Sequence, residues 1–256
     1  MLGAIAGDVI GSVYEYHQIK TTEFPLFPKH CRFTDDTVMT IAIAYSLLEN
    51  VDYAASMKLF GRKYPNAGYG SHFIRWLFEE DVRPYNSWGN GSAMRASPLG
   101  FAIDDIDTLL AEAKRSAEVS HNHPEGIKGA QATALAVFLA HKSESKEYIR
   151  TEIGGRFNYD LNRGLAEIRQ TYEFDESCQG TVPEAIIAFL ESGTYEEAVR
   201  NAVSLGGDSD TLACIAGGIA QAYYKTIPAE IATKVVDLLP EDLLDVVNRF
   251  NREYGL

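Results

Sequence analysis

The sequence predicts an all-α protein, a single bundle of many helices. Three observations lead there. Apolar residues recur at helical spacing, as in Val38, Ile41, Ala42, Tyr45 and Leu48, and again in Leu212, Ile215, Ala216, Ile219 and Tyr223. Alternating strand patterns are almost absent, and the few β-branched runs fall inside helical windows. Small residues crowd those windows, in Gly129-Ala130-Gln131-Ala132-Thr133-Ala134 and from Ala213 to Ala222, and small side chains let helix axes approach closely.

In chain order, the same periodicity predicts helices over 52–64, 71–80, 104–119, 124–141, 181–191 and 194–203. The stretch 228–254 reads as a helix pair, because Pro240 cannot sit in the middle of one helix. Polar loops are expected at 17–34, 82–91 and 154–160. No linker rich in Pro, Ser or Gly interrupts the chain and no repeat has a solenoid period, so residues 1–256 read as one domain.

Composition narrows the function. Apolar residues make up 46% and charged residues 23% of the 256, ordinary for a globular protein in water. No apolar run is long enough to span a bilayer. The opening Met1-Leu2-Gly3-Ala4-Ile5-Ala6-Gly7-Asp8 lacks the basic flank of a secretory signal, so a cytoplasmic protein is expected. Cys31, Cys178 and Cys214 are odd in number and in no metal-ligand spacing, which argues against disulfides and against a cysteine-bound zinc. A formal charge of −13 opposes non-specific nucleic-acid binding, which depends on Lys and Arg displacing counterions. It is compatible with a monomer. An acidic chain that handles phosphates needs local positive charge from metal ions or helix N-termini.

Two short segments resemble each other, Thr34-Asp35-Asp36-Thr37 and Asp208-Ser209-Asp210-Thr211, each at the start of an apolar helix window. Helix capping accounts for one oxygen in each. The remaining carboxylates would repel one another unless a cation sat among them, and hard oxygen ligands suit Mg²⁺, Mn²⁺ or Ca²⁺. Spacing alone does not bring the two segments together.

Five segments in order resemble the ADP-ribosylglycohydrolase family. They are Gly7-Asp8-Val9-Ile10-Gly11-Ser12-Val13-Tyr14-Glu15, Thr34-Asp35-Asp36-Thr37, Trp88-Gly89-Asn90-Gly91-Ser92-Ala93-Met94-Arg95, Ser120-His121, and Ser204-Leu205-Gly206-Gly207-Asp208-Ser209-Asp210-Thr211. The resemblance implies a helical fold with a two-metal centre of Mg²⁺ or Mn²⁺. Carried over position by position, it makes Thr34, Asp35, Asp36, Asp208, Asp210 and Thr211 the metal ligands.

The reaction it implies is hydrolysis of the bond between ADP-ribose and an acceptor, with Glu15 and Asp36 as the catalytic carboxylates. Glu15 matches a glutamate that relatives carry on a mobile flap, and the 17–34 segment could supply that mobility. By the same carry-over, Asn86, Ser87, Trp88, Gly89, Asn90 and Gly91 form a turn against the diphosphate and ribose. Glycines there allow backbone approach, and a following helix would favour the anion. Trp88 stands where some relatives have tyrosine. His121 would contact the ribose, and Ser177-Cys178-Gln179-Gly180-Thr181-Val182-Pro183 would pass near the adenine. Arg95 is expected in a structural ion pair, and His123 lacks the further ligands that zinc would need. The acceptor implied is an ADP-ribosylated protein or small molecule, with a lean to ADP-ribosyl-arginine. The alternatives are a catalytically silent ADP-ribose-binding protein, or a hydrolase of small-molecule or nucleic-acid conjugates.

Overall fold

Helix α1 (Leu2–Gly11) is apolar on every side but for Asp8, and every residue after Leu2 is buried. Such a helix belongs in the interior. In the computed structural model, which describes residues 1–80 and 83–256, α1 lies along α13 (Ser209–Tyr224), the most extensive helix contact in the fold. Glycines make that approach possible. A Cβ on Gly7 would lie 1.9 Å from the Ala213 carbonyl oxygen, and one on Gly11 would lie 2.4 Å from the Ser209 oxygen. No larger residue fits at either position without parting the helices.

Other helices wrap this pair. Helix α2 (Asp35–Glu49) is capped by Thr34, whose hydroxyl accepts from the Asp36 amide at 3.3 Å, and it stops at Asn50 in the left-handed region. Helices α8 (Pro124–His141), α11 (Cys178–Leu190) and α12 (Tyr195–Val203) pack on α13. Amphipathic helices close the outside. In α7 (Ile106–Glu118) and α15 (Glu241–Glu253), the buried residues keep one face, as Leu243, Val246, Val247 and Phe250 do in α15. Helices α3 (Tyr53–Lys63), α4 (Ser71–Phe78) and α14 (Ala229–Leu238) complete the shell, and one apolar core runs from Ile5 to Phe250. Pro240 stands between α14 and α15, where the sequence places the break.

The fold is all-helical, with no strand among the described residues; one isolated bridge joins Gly89 to Ser177. Four helices depart from the sequence reading. Helix α9 (Lys146–Phe157) occupies the first part of the expected 154–160 loop and ends at Asn158, which is left-handed. Its buried face is only Ile149, Ile153 and Phe157, too thin a stripe to stand out in a charged window. Helices α5 (Gly91–Met94), α6 (Ser97–Ala102) and α10 (Leu165–Thr171) are too short to show a period. Residue 82 of the expected 82–91 loop lies outside the described residues. Among the described residues, no helix is long and apolar enough to cross a membrane.

Candidate active site

The close approach of α1 to α13 carries Asp8 to the beginning of α13, and α2 starts against the same point. Asp8 is fully buried, and its carboxylate gathers the first turn of α2. Oδ1 accepts from the Thr34 hydroxyl at 2.7 Å. Oδ2 accepts from the Thr34 amide at 2.9 Å, from the Thr37 amide at 3.1 Å and from the Thr37 hydroxyl. Sequence reasoning assigned Asp8 no role, although a lone acid inside an apolar helix was a usable signal.

Asp36, Asp210 and Asp8 each present a carboxylate oxygen, all within 4.8 Å of one another. Asp36 joins the two acidic segments: its Oδ2 lies 3.3 Å from the Thr34 hydroxyl and 3.4 Å from the Thr211 hydroxyl. Its Oδ1 is buried with no partner. Asp208 accepts from the Asn90 side-chain amide at 2.7 Å, and that amide also reaches Thr181 at 3.0 Å. Capping holds for Thr34 only, because Asp208 stands at the N-cap of α13 without a side-chain cap bond. Asp35 faces the cavity beside Gly68, its amide donating to the Ala67 oxygen at 3.0 Å.

Burial is the first cause of the raised pKa values here, and for Asp35, Asp36 and Asp208 the charge of a neighbouring aspartate is the second. Asp8 is raised to about 6, Asp210 to about 7 and Asp35 to about 8, while Asp36 and Asp208 lie well above the usual carboxylate range. Hydrogen bonds from Thr34 and Thr37 hold Asp8 partly down. Glu15 is half-buried and raised by burial, then by the charge of Asp208. A cation among these groups would reverse the balance by compensating the charge. The unpartnered Asp36 oxygen is where one fits. Asp8 already accepts four hydrogen bonds and is the least free of the three to coordinate.

A cavity of about 430 Å³ opens above the cluster. Every residue expected to bind metal, to act as a catalytic carboxylate or to contact the diphosphate and ribose lines it, from Glu15 and Thr34 through the 86–91 turn to His121, Asp208, Asp210 and Thr211, whereas the 177–183 segment expected near the adenine does not. The turn is braced from α11: the Cys178 amide donates to the Trp88 oxygen at 3.0 Å and the Asn90 amide donates to the Glu176 oxygen at 2.8 Å. The Gly89 amide donates to Ser87 Oγ at 3.1 Å. The 177–183 segment thus holds the turn in place. The helix expected to follow is the single turn α5, so any dipole effect there is small. Asn86 takes a left-handed conformation, and the Trp88 ring stands half-exposed at the rim.

The ion pair expected of Arg95 is absent among the described residues. Its buried guanidinium instead donates to the Gly91 oxygen at 3.0 Å, the Ser116 oxygen at 3.0 Å and Ser120 Oγ at 3.1 Å. His123 caps α8, accepting from the Glu125 amide at 3.1 Å. The 17–34 segment is tied down at several points, which does not favour a freely swinging flap. Lys20 donates to the Tyr172 and Leu205 oxygens, the Tyr14 hydroxyl to the Pro25 oxygen at 2.7 Å, and Arg200 to the Thr22 and Phe24 oxygens. All three cysteines are free, Cys178 and Cys214 being buried.

Comparison with known proteins gives a consistent result. The sequence pattern of the family described as ADP-ribosylglycohydrolase matches residues 1–255. The chain is 29% identical to the ADP-ribosylhydrolase ARH3 of Bos taurus, over 88% of this chain and 83% of that protein. It is 26% identical to the ADP-ribosyl-[dinitrogen reductase] glycohydrolase of Rhodospirillum rubrum, over 87% of this chain and 83% of the other. A solved structure of an ADP-ribosylglycohydrolase-related protein complex superposes with a TM-score of 0.71 at 24% identity, covering 98% of this chain and 96% of its own, and supports the fold.

Proposed function

The chain belongs to the ADP-ribosylglycohydrolase family and is an enzyme of that kind, and on this premise we propose that it is a metal-dependent hydrolase releasing ADP-ribose from an ADP-ribosylated acceptor. The observation that carries the metal is the buried cluster of Asp8, Asp36 and Asp210 with one Asp36 oxygen left without a partner. Thr34, Asp35, Asp36, Asp208, Asp210 and Thr211 would hold two Mg²⁺ or Mn²⁺ ions, an oxygen donor set that suits hard cations. When bound, such ions orient ribose hydroxyls and stabilise charge at the reacting centre.

The chain's own groups supply the rest. Glu15 stands at the cavity with its pKa raised by burial and then by the charge of Asp208, which makes its carboxylate a stronger base toward an attacking water. Asp36 sits deeper and assists from the base of the cavity. The braced turn 86–91 receives the diphosphate and ribose, with Trp88 at the rim and His121 behind it. Trp88 keeps an aromatic face there while its ring N–H offers a donor unlike a tyrosine hydroxyl. The free cysteines fit a cytoplasmic, reducing setting, and we read the working form as a monomer.

ADP-ribosyl-arginine is the first acceptor to assay, with ADP-ribosyl-serine and ADP-ribosylated nucleic acid beside it. Purified chain is incubated with each in Mg²⁺, Mn²⁺ or chelator while free ADP-ribose is followed. Release with metal and none with chelator is the expected result. Binding of ADP-ribose with no release from any acceptor overturns the reading in favour of a silent binding protein.

A further inference from the structure

The hydrogen-bond pattern behind the 86–91 turn fixes more than its shape. We propose that Arg95 and Ser120 are positioning residues that lock His121 as the neutral Nε2–H tautomer, a fixed hydrogen-bond donor to ADP-ribose rather than a proton-transfer group. This rests on the cavity being the ADP-ribose site.

The argument follows the protons. A guanidinium only donates, so Ser120 Oγ accepts from Arg95 Nη2 at 3.1 Å. The serine hydroxyl must then place its own proton. Its oxygen is fully enclosed, and its other side-chain partner is His121 Nδ1 at 2.8 Å. Nδ1 therefore accepts, and the ring proton resides on Nε2. The opposite tautomer would leave the serine proton buried without an acceptor, which disfavours it by roughly tenfold to a hundredfold in population. An imidazolium would meet the same obstacle and the Arg95 charge as well. Burial, then the Arg95 charge, holds the His121 pKa well below the usual histidine range and so keeps the ring neutral. The groups facing the ring are Arg95, Tyr85 at 5.8 Å between ring centroids and Phe73 at 6.4 Å, none of them a carboxylate.

Nε2 points at the turn. A Cβ on Gly91 would stand 3.0 Å from it and one on Gly89 3.7 Å, so both glycines leave the N–H open on the cavity wall. The same guanidinium holds the Gly91 carbonyl at 3.0 Å. Arg95 thereby sets the donor and the turn it faces in one register. Proton transfer is left to Glu15 and Asp36.

The test reads the tautomer directly. The full chain is labelled with ¹⁵N in its imidazoles and held in Mg²⁺, and the His121 signals are assigned by their loss in His121→Gln. Long-range proton–nitrogen spectra are expected to show Nε2–H alone, with no titration from roughly pH 5 to 8. Ser120→Ala should release the constraint, giving two exchanging tautomers and about tenfold weaker ADP-ribose binding by calorimetry, and Ser120→Thr should restore both. A wild-type signal with Nδ1–H, an imidazolium at neutral pH, or an unchanged tautomer in Ser120→Ala would overturn the proposal. If Ser120→Ala does not fold, the wild-type spectrum alone decides. Because the spectrum needs no ligand, failure of the chain to bind ADP-ribose would count against the proposed function and leave the tautomer result standing.

Discussion

Replacing Gly7 with alanine tests how the helix crossing builds the site. The added Cβ would stand 1.9 Å from the Ala213 oxygen and 2.4 Å from its carbonyl carbon, where ordinary contact begins at 3.4 Å. The obstacle is backbone, so no side-chain rotation relieves it, and α1 and α13 must part by about 1.5 Å. Overpacking of this kind costs about 3 kcal/mol at the upper end of its usual range. Alanine's better helix propensity returns about 1 kcal/mol, leaving a loss of about 2 kcal/mol. For a chain of this size that lowers Tm by roughly 4–8 °C. Because the two helices carry Asp8 and Asp210, Mn²⁺ affinity should fall as well, by about tenfold or more. Gly155→Ala is the control, since that helical glycine has nothing within 4 Å of a new Cβ. It should raise stability by about 0.5–1 kcal/mol. Thermal melts in chelator and Mn²⁺ titrations read both effects. A Gly7→Ala protein that melts with Gly155→Ala and binds Mn²⁺ like wild type would refute the reasoning.

Three further outcomes are expected. Glu15→Gln should retain Mn²⁺ and lose about a hundredfold or more in turnover, and wild-type turnover would remove Glu15 from the chemistry. Asp8→Asn leaves some of the four Thr34 and Thr37 donors without an acceptor, so calorimetry should show Mn²⁺ affinity about ten- to a hundredfold lower. In chelator, the carboxylates with raised folded values favour the folded state fully below their unfolded range near pH 4. That contribution is lost as pH rises through about 6, 7 and 8 for Asp8, Asp210 and Asp35. The chelated chain should therefore melt at a higher temperature at pH 5 than at pH 8, with added Mg²⁺ narrowing the gap; a flat profile in chelator would contradict this.

How much of this was legible in the sequence depended on whether the signal was local. The long helices announced themselves by their period, and Thr34 and Asp36 carried a capping pattern at a helix start. The matched motifs then pointed to residues that the fold gathers around one cavity, although no spacing rule says that α2 and α13 begin side by side. What stayed hidden is set by packing between distant segments. Asp8 matters because α1 is pressed onto α13, a fact of glycine contacts rather than of its neighbours in sequence. Arg95 looked like half of an ion pair because a buried cation needs compensation, and three oxygens from the backbone and a serine supply it. The 17–34 segment has no periodic pattern, and its anchors include Arg200, far along the chain. Helix α9 is held by three apolar residues in a charged window, below what periodicity can resolve.

The most direct test of the account follows free ADP-ribose and bound Mn²⁺ together, in wild type and in Asp210→Ala. The account predicts that wild type binds Mn²⁺ and releases ADP-ribose, and that Asp210→Ala loses both while keeping the helical fold. Undiminished release from a folded Asp210→Ala protein, or release by wild type in full chelation, would contradict it.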